Sequence, residues 1–246
     1  MKRHVYILLL LITYSLPAQT QREVEFKTND GLTIFGDLYL KNKDKSMILL
    51  FHQAGSCAQG EYENIIPVLS KNGFNILAID QRSGGSKLGG INRTVNKLNG
   101  EEYGYCETYP DFEATLNYVT NELNYTGKII AWGSSYSAAM VIHLKADYPD
   151  KIAGILAFSP ASGGPMKPCS PNDKFNDLNG SALILRPARE MEIPSVQDQL
   201  ALAKEAGLST HVSKNGVHGS SMLNPDRVDG STDETWAAVL SFLTSF

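Results

Sequence analysis

What this sequence has little of narrows it first. It holds three cysteines, none in a CxxC pair, and no HExxH, so neither a structural nor a catalytic zinc site is expected. No cluster of lysine and arginine stands out and the formal net charge is −4, which argues against nucleic acid as a partner. There is no internal repeat and no low-complexity segment. The N-terminal apolar run, residues 5–16, is too short to cross a bilayer as a helix, which takes about 20 residues. It follows Lys2, Arg3 and His4 and precedes Pro17-Ala18-Gln19, the layout of a secretory signal cut after Ala18. No cysteine follows the run, so a lipid anchor is not expected. The chain is therefore expected to be exported, periplasmic or secreted, with no stable membrane insertion once residues 1–18 are removed. Export permits a disulfide. Cys106 with Cys169 is the expected pair, because both lie in long loops; three unpaired thiols are the alternative.

What is present is an ordinary globular composition, 42% hydrophobic and 20% charged, with length enough for one sizeable core in a single domain, residues 19–246. Residues 24–26 and 32–40 alternate apolar and polar around Asn29-Asp30-Gly31, a hairpin signal. Continuous apolar runs at 47–51, 76–79, 128–132, 152–158 and 182–185 predict strands covered on both faces. Between and after them the pattern predicts helices at 61–71, 112–123 with Asp111 as N-cap, 137–148, 196–206 and 234–243, and a short strand at 210–212. This alternation predicts an α/β fold, a mostly parallel central sheet with helices on both faces. In such sheets ligands bind beyond the carboxyl ends of the strands. The loops there hold His52, Asp80, Ser135, Glu190 and His218. Two loops, 81–110 and 159–181, are long enough to roof a site.

Residues 128–149 read as strand, tight turn and helix, with Gly133-Ser134-Ser135-Tyr136-Ser137 at the turn. A serine hydroxyl is a weak nucleophile unless a base takes its proton, a third group orients the base, and donors hold the oxyanion. A nucleophile elbow exposes such a serine and needs small residues two places before and after it, here Gly133 and Ser137. The bland reading is a helix N-terminus capped by Ser134 or Ser135. The base should lie in a loop after the last strand, where Asn215-Gly216-Val217-His218-Gly219 fits; a solvated surface histidine is the alternative. The orienting acid should follow the strand 182–185: Glu190 is the first candidate, then Glu192, with Asp80 and Asp226 also possible. The Tyr136 N–H is the natural first oxyanion donor, and a backbone N–H of Gln53 or Ala54 the second.

Four stretches together resemble the α/β-hydrolase superfamily, in its dienelactone hydrolase and esterase-like neighbourhood without a large cap domain. Residues 48–56 look like the oxyanion strand, with Gln53 where glycine usually stands. Residues 73–86 look like the segment in which Asp80 and Arg82 have structural roles. Gly133 to Ser137 stands at the elbow, Ser137 replacing a glycine, and Val217-His218-Gly219 at the histidine loop. Where the family usually places an aspartate, Glu190 is one methylene longer, and Gln53 could bring a side-chain amide into the site. The segment before strand 182–185, where relatives carry a cap, is short here, so an open site is expected, with Tyr103, Tyr105, Tyr109 and Tyr136 as possible lining. The resemblance implies a serine hydrolase that cleaves an ester, less readily an amide, of a small acyl substrate through an acyl-enzyme, with no cofactor and no metal. The alternatives are a non-catalytic ligand-binding protein on the same fold and an acyltransferase.

Overall fold

The computed structural model describes residues 20–246; the expected signal at 1–18 lies outside them. Among the described residues eight strands form one sheet: β1 (Thr20–Lys27), β2 (Thr33–Leu40), β3 (Met47–Phe51), β4 (Asn75–Asp80), β5 (Ile129–Ser134), β6 (Gly154–Phe158), β7 (Ala182–Pro187) and β8 (Ser209–Ser213). Their order is β1-β2-β4-β3-β5-β6-β7-β8. The β1–β2 hairpin and the β2–β4 pair are antiparallel, and every other pairing is parallel. The parallel strands therefore end on one edge, and the loops after β3, β5, β6, β7 and β8 gather there.

Continuous apolar strands result because both faces are covered. Met47, Leu49 and Phe51 of β3, with Ile129 and Ala131 of β5, pack on one side with Phe112, Met140 and Leu144. Ile48, Leu50, Ile130 and Trp132 pack on the other with Tyr62, Leu69, Val239 and Leu243. These partners come from α1 (Ala58–Tyr62), α2 (Ile66–Lys71), α3 (Tyr109–Asn117), α4 (Tyr136–Asp147) and α6 (Asp233–Leu243), and α5 (Pro194–Glu205) adds Leu200 and Ala203 to the first side.

Two expectations about helices need correction. The helix predicted over 61–71 is two helices, because Pro67 sits in the first turn of α2. A proline deep in one continuous helix would lose a hydrogen bond and clash with the carbonyl four residues back, so the chain turns at residues 63–65 and starts again. The helix predicted from 112 begins at Tyr109, and Asp111 lies inside its first turn rather than capping it. The Asp111 carboxylate instead takes the Arg82 backbone N–H at 2.9 Å and its Nε at 2.7 Å. Arg82 also reaches Asp30 in the hairpin turn, so one guanidinium joins hairpin, sheet edge and α3. Asp80 is likewise structural: it accepts from the Ala58 N–H at 3.0 Å and from Arg93 Nε at 2.7 Å.

The segment between β6 and β7 carries two short 3₁₀ turns, Gly164–Cys169 and Asn172–Leu178. Cys169 forms a disulfide with Cys106, Cα–Cα 5.7 Å, which ties the two long loops together; Cys57 is free and buried.

Candidate active site

Strand β5 delivers Ser135 to the centre of the carboxyl edge. Its backbone lies at φ 61°, ψ −119°, a conformation costly for a residue with a Cβ. Backbone hydrogen bonds hold it there. The Ser135 N–H donates to Phe158 O at 2.8 Å, and its carbonyl accepts from the N–H groups of Ala138 and Ala161, each at 3.1 Å. Gly133 is obligatory, because a Cβ there would lie 2.3 Å from the Ser137 carbonyl oxygen. Ser137 is more than a small filler: its hydroxyl donates to His52 O at 2.6 Å and accepts from Gln81 Nε2 at 3.0 Å.

The turn after β8 brings His218 to this serine. His218 Nε2 lies 2.8 Å from Ser135 Oγ, and Nδ1 lies 2.6 Å from Glu190 Oε1. The His218 side chain is 41% exposed while that of Glu190 is 10% exposed, so the imidazole is open to solvent and the carboxylate is not. Glu190 follows β7 on a 3₁₀ turn, Ala188–Glu192. Its Oε2 accepts from Arg186 Nη1 at 3.0 Å, and its Oε1 also accepts from the Ser159 hydroxyl at 3.1 Å. Burial alone would raise the Glu190 carboxyl; the hydrogen bond and charge of His218, with the Arg186 guanidinium, outweigh it and hold the carboxyl below its ordinary value. The added methylene of a glutamate is accommodated in this way, anchored from behind by an arginine one turn earlier.

Two hydroxyls and an indole fix the histidine turn. The Gly219 N–H donates to Ser159 Oγ at 3.1 Å and the Ser220 N–H to Ser134 Oγ at 2.9 Å. Trp132 Nε1 donates to Ser220 Oγ at 2.8 Å. Gly219 itself has φ 69°, and a Cβ there would lie 2.3 Å from Ser134 Oγ.

For the oxyanion, Tyr136 stands at the first position of α4, and its N–H has no acceptor among the described residues. Of the two donors weighed in the loop after β3, Gln53 is already engaged. Its N–H donates to Glu61 Oε2 at 2.6 Å and its side-chain Nε2 to Glu61 Oε1 at 3.2 Å. The Gln53 amide is thus spent inside the protein and does not enter the site, which leaves the Ala54 N–H. His52 is fully buried and structural. Its Nδ1–H donates to Gln53 O at 2.8 Å and its Nε2 accepts from the Gln81 N–H at 2.9 Å. Burial drives its imidazole below the ordinary value, so it stays neutral.

The remaining acids and histidines are elsewhere. Glu192 is exposed, Asp80 is tied to Arg93, Asp226 meets Asn64, and His143 hydrogen-bonds the Cys169 carbonyl. Of the four tyrosines, Tyr136 is buried with its hydroxyl accepting from Gln81, and Tyr105 stacks on it at 5.0 Å. Tyr103 lies over the Arg82 guanidinium, and Tyr109 donates to Asp147. Sequence reasoning missed Glu61, Ser134, Ser159, Arg186 and Ser220. Ser159 directly follows β6 on the edge that carries Ser135, a position that could have flagged it; the others carry no local signal.

A family model described as serine aminopeptidase, S33, matches residues 42–207, well over half of the chain. No curated protein sequence matches. Among solved structures, an esterase from Pyrococcus furiosus superposes with a TM-score of 0.68 at 18% identity, covering 93% of this chain and 92% of that one. A dienelactone hydrolase from Anabaena variabilis gives 0.67 at 12% identity, covering 94% and 99%. A thermostable carboxyl esterase from Bacillus coagulans gives 0.67 at 13% identity, covering 93% and 99%.

Proposed function

This chain belongs to the serine aminopeptidase S33 family and is a hydrolase of the α/β fold, and we propose that it cleaves carboxylic esters through Ser135, His218 and Glu190. The observation that carries the reading is the strained serine whose Oγ lies 2.8 Å from an imidazole that is itself 2.6 Å from a buried carboxylate. Ser135 Oγ attacks the acyl carbon while His218 Nε2 takes its proton, and Glu190 steadies the imidazolium. The carbonyl oxygen becomes an oxyanion held by the Tyr136 N–H at the α4 N-terminus and by the Ala54 N–H in the loop after β3. Collapse breaks the ester bond, and the leaving alkoxide takes the proton from His218. Water, losing a proton to the same nitrogen, then attacks the acyl carbon; the acyl–Oγ bond breaks, the carboxylic acid leaves, and His218 returns its proton to Ser135 Oγ.

Esters rather than peptides fit the molecule better. An aminopeptidase must pair with a free α-amine, and the two buried carboxylates tied to the histidine and the oxyanion loop, Glu190 and Glu61, are already engaged by protein donors. The structural neighbours described as esterases support the same choice. Export is part of the proposal: a disulfide between two surface loops belongs to an oxidising compartment, in keeping with the signal-like residues 1–18. The test is hydrolysis of p-nitrophenyl esters of increasing acyl length beside aminoacyl anilides. Ester turnover lost in Ser135→Ala supports the reading; anilide turnover alone, or ester turnover that survives the substitution, overturns it.

A further inference from the structure

We propose that Glu61 is a positioning residue for this reaction: its buried carboxylate holds the oxyanion loop so that the Ala54 N–H, and not that of Gln53, faces the reacting carbonyl. The inference rests on the esterase reading above. Glu61 is 1% exposed, and no arginine, lysine or histidine pairs with it among the described residues. A carboxylate that deep is tolerated only where donors converge on it. Here Gln53 gives both its N–H and its side-chain amide, one to each oxygen, and the Ser134 hydroxyl adds a further hydrogen bond. The Gln53 carbonyl is fixed as well, by His52 Nδ1 at 2.8 Å and by the Ser56 N–H at 3.2 Å. With both ends of its backbone bound, Gln53 cannot turn its N–H outward, and the first unclaimed donor of the loop is Ala54.

Glu61 also sits where three parts of the site meet. A Cβ on Gly219 would lie 3.6 Å from Glu61 Oε1 and 3.5 Å from Gln53 Nε2, so the clamp lies directly against the turn that carries His218. The clamp explains how this sequence departs from the usual loop glycine. A glutamine can replace the usual loop glycine because a buried acid receives its side chain. The acid in turn keeps that side chain out of the space a substrate needs.

Inactivation by a fluorophosphonate reads the claim, because the phosphoryl oxygen of the adduct takes the place of the oxyanion. Its rate separates into a binding constant and a maximal rate. Glu61→Leu should lower the maximal rate about 10²-fold and move the binding constant less than about threefold, the signature of a contact made only in the transition state. Glu61→Gln keeps an oxygen for the Gln53 N–H and should return to within about tenfold of wild type. A role confined to stability would leave the maximal rate of the folded variants unchanged. A folded Glu61→Leu that reacts at the wild-type rate overturns the inference, and so does a Gln variant as slow as the Leu one; in both cases Ser135 is still labelled in wild type and the esterase reading stands. Wild-type protein left unlabelled overturns that reading and the inference with it. Should the Leu variant not fold, Glu61→Ala, whose smaller side chain admits water, is read in the same way.

Discussion

At the scale of single residues, the site is built on one strained backbone and one anchored acid. Ser135 is held at positive φ by hydrogen bonds on both sides of its peptide. Ser135→Gly removes the Cβ that makes this costly, so it should abolish turnover and raise stability by about 1 kcal/mol, measured by urea unfolding. Glu190→Asp withdraws the carboxylate by one methylene from both His218 and Arg186. It should lower kcat/KM about 10²-fold with little change in KM, in steady-state ester kinetics. That Ser135, His218 and Glu190 lie together was legible in the sequence because the search could be confined to loops after strands, where few such residues occur. Glu61 and Arg186 were not. Each acts through a partner brought near by the fold, and a glutamate in a short helix or an arginine in a strand says nothing alone about which donor or acid it will meet.

At the scale of elements, the sequence showed which segments are strands, since continuous apolar runs between turns have few other readings. It was less clear where helices start. Pro67 and Pro110 both mark a first turn, and reading the apolar period across Pro67 joined two helices into one. Ser137 shows how an element can depend on a residue that departs from the usual elbow glycine. Its hydroxyl bridges α4 to the carbonyl of His52 and to Gln81. Ser137→Gly loses these buried bonds and places a glycine in a helix, so it should cost about 1–2 kcal/mol in denaturant unfolding. Activity per folded molecule should stay close to wild type, because Ser137 touches neither His218 nor Ser135 Oγ. A stability equal to or above wild type would contradict this account of the elbow.

At the scale of the whole molecule, two ties reach across the chain. The disulfide spans a sequence separation of 63 residues. Closing a loop of that size restricts the unfolded chain by about 4 kcal/mol in the chain-entropy model. The paired substitution of Cys106 and Cys169 by serine should therefore lower stability by about 2–4 kcal/mol, seen as a lower denaturation midpoint. The second tie is Arg82. Its hydrogen bond, resisted by partial burial and aided by the Thr28 hydroxyl, brings the Asp30 carboxyl down to about 2 from 3.8. A carboxyl lowered on folding contributes stability above its unfolded value and loses it as pH falls through its folded value. Asp30→Asn should thus cost about 1 kcal/mol at neutral pH, reduced from the full shift because the Asp30 side chain is 45% exposed, and the difference should vanish between about pH 4 and pH 2.

The central claim is that Ser135 is an activated nucleophile. The most direct measurement is to treat the folded protein with a fluorophosphonate and locate the adduct by mass spectrometry, in wild type, Ser135→Ala and His218→Ala. The account predicts one adduct on Ser135, absent from the first variant and formed far more slowly in the second. A folded wild-type protein without an adduct, or one modified equally fast when His218 is gone, would contradict it.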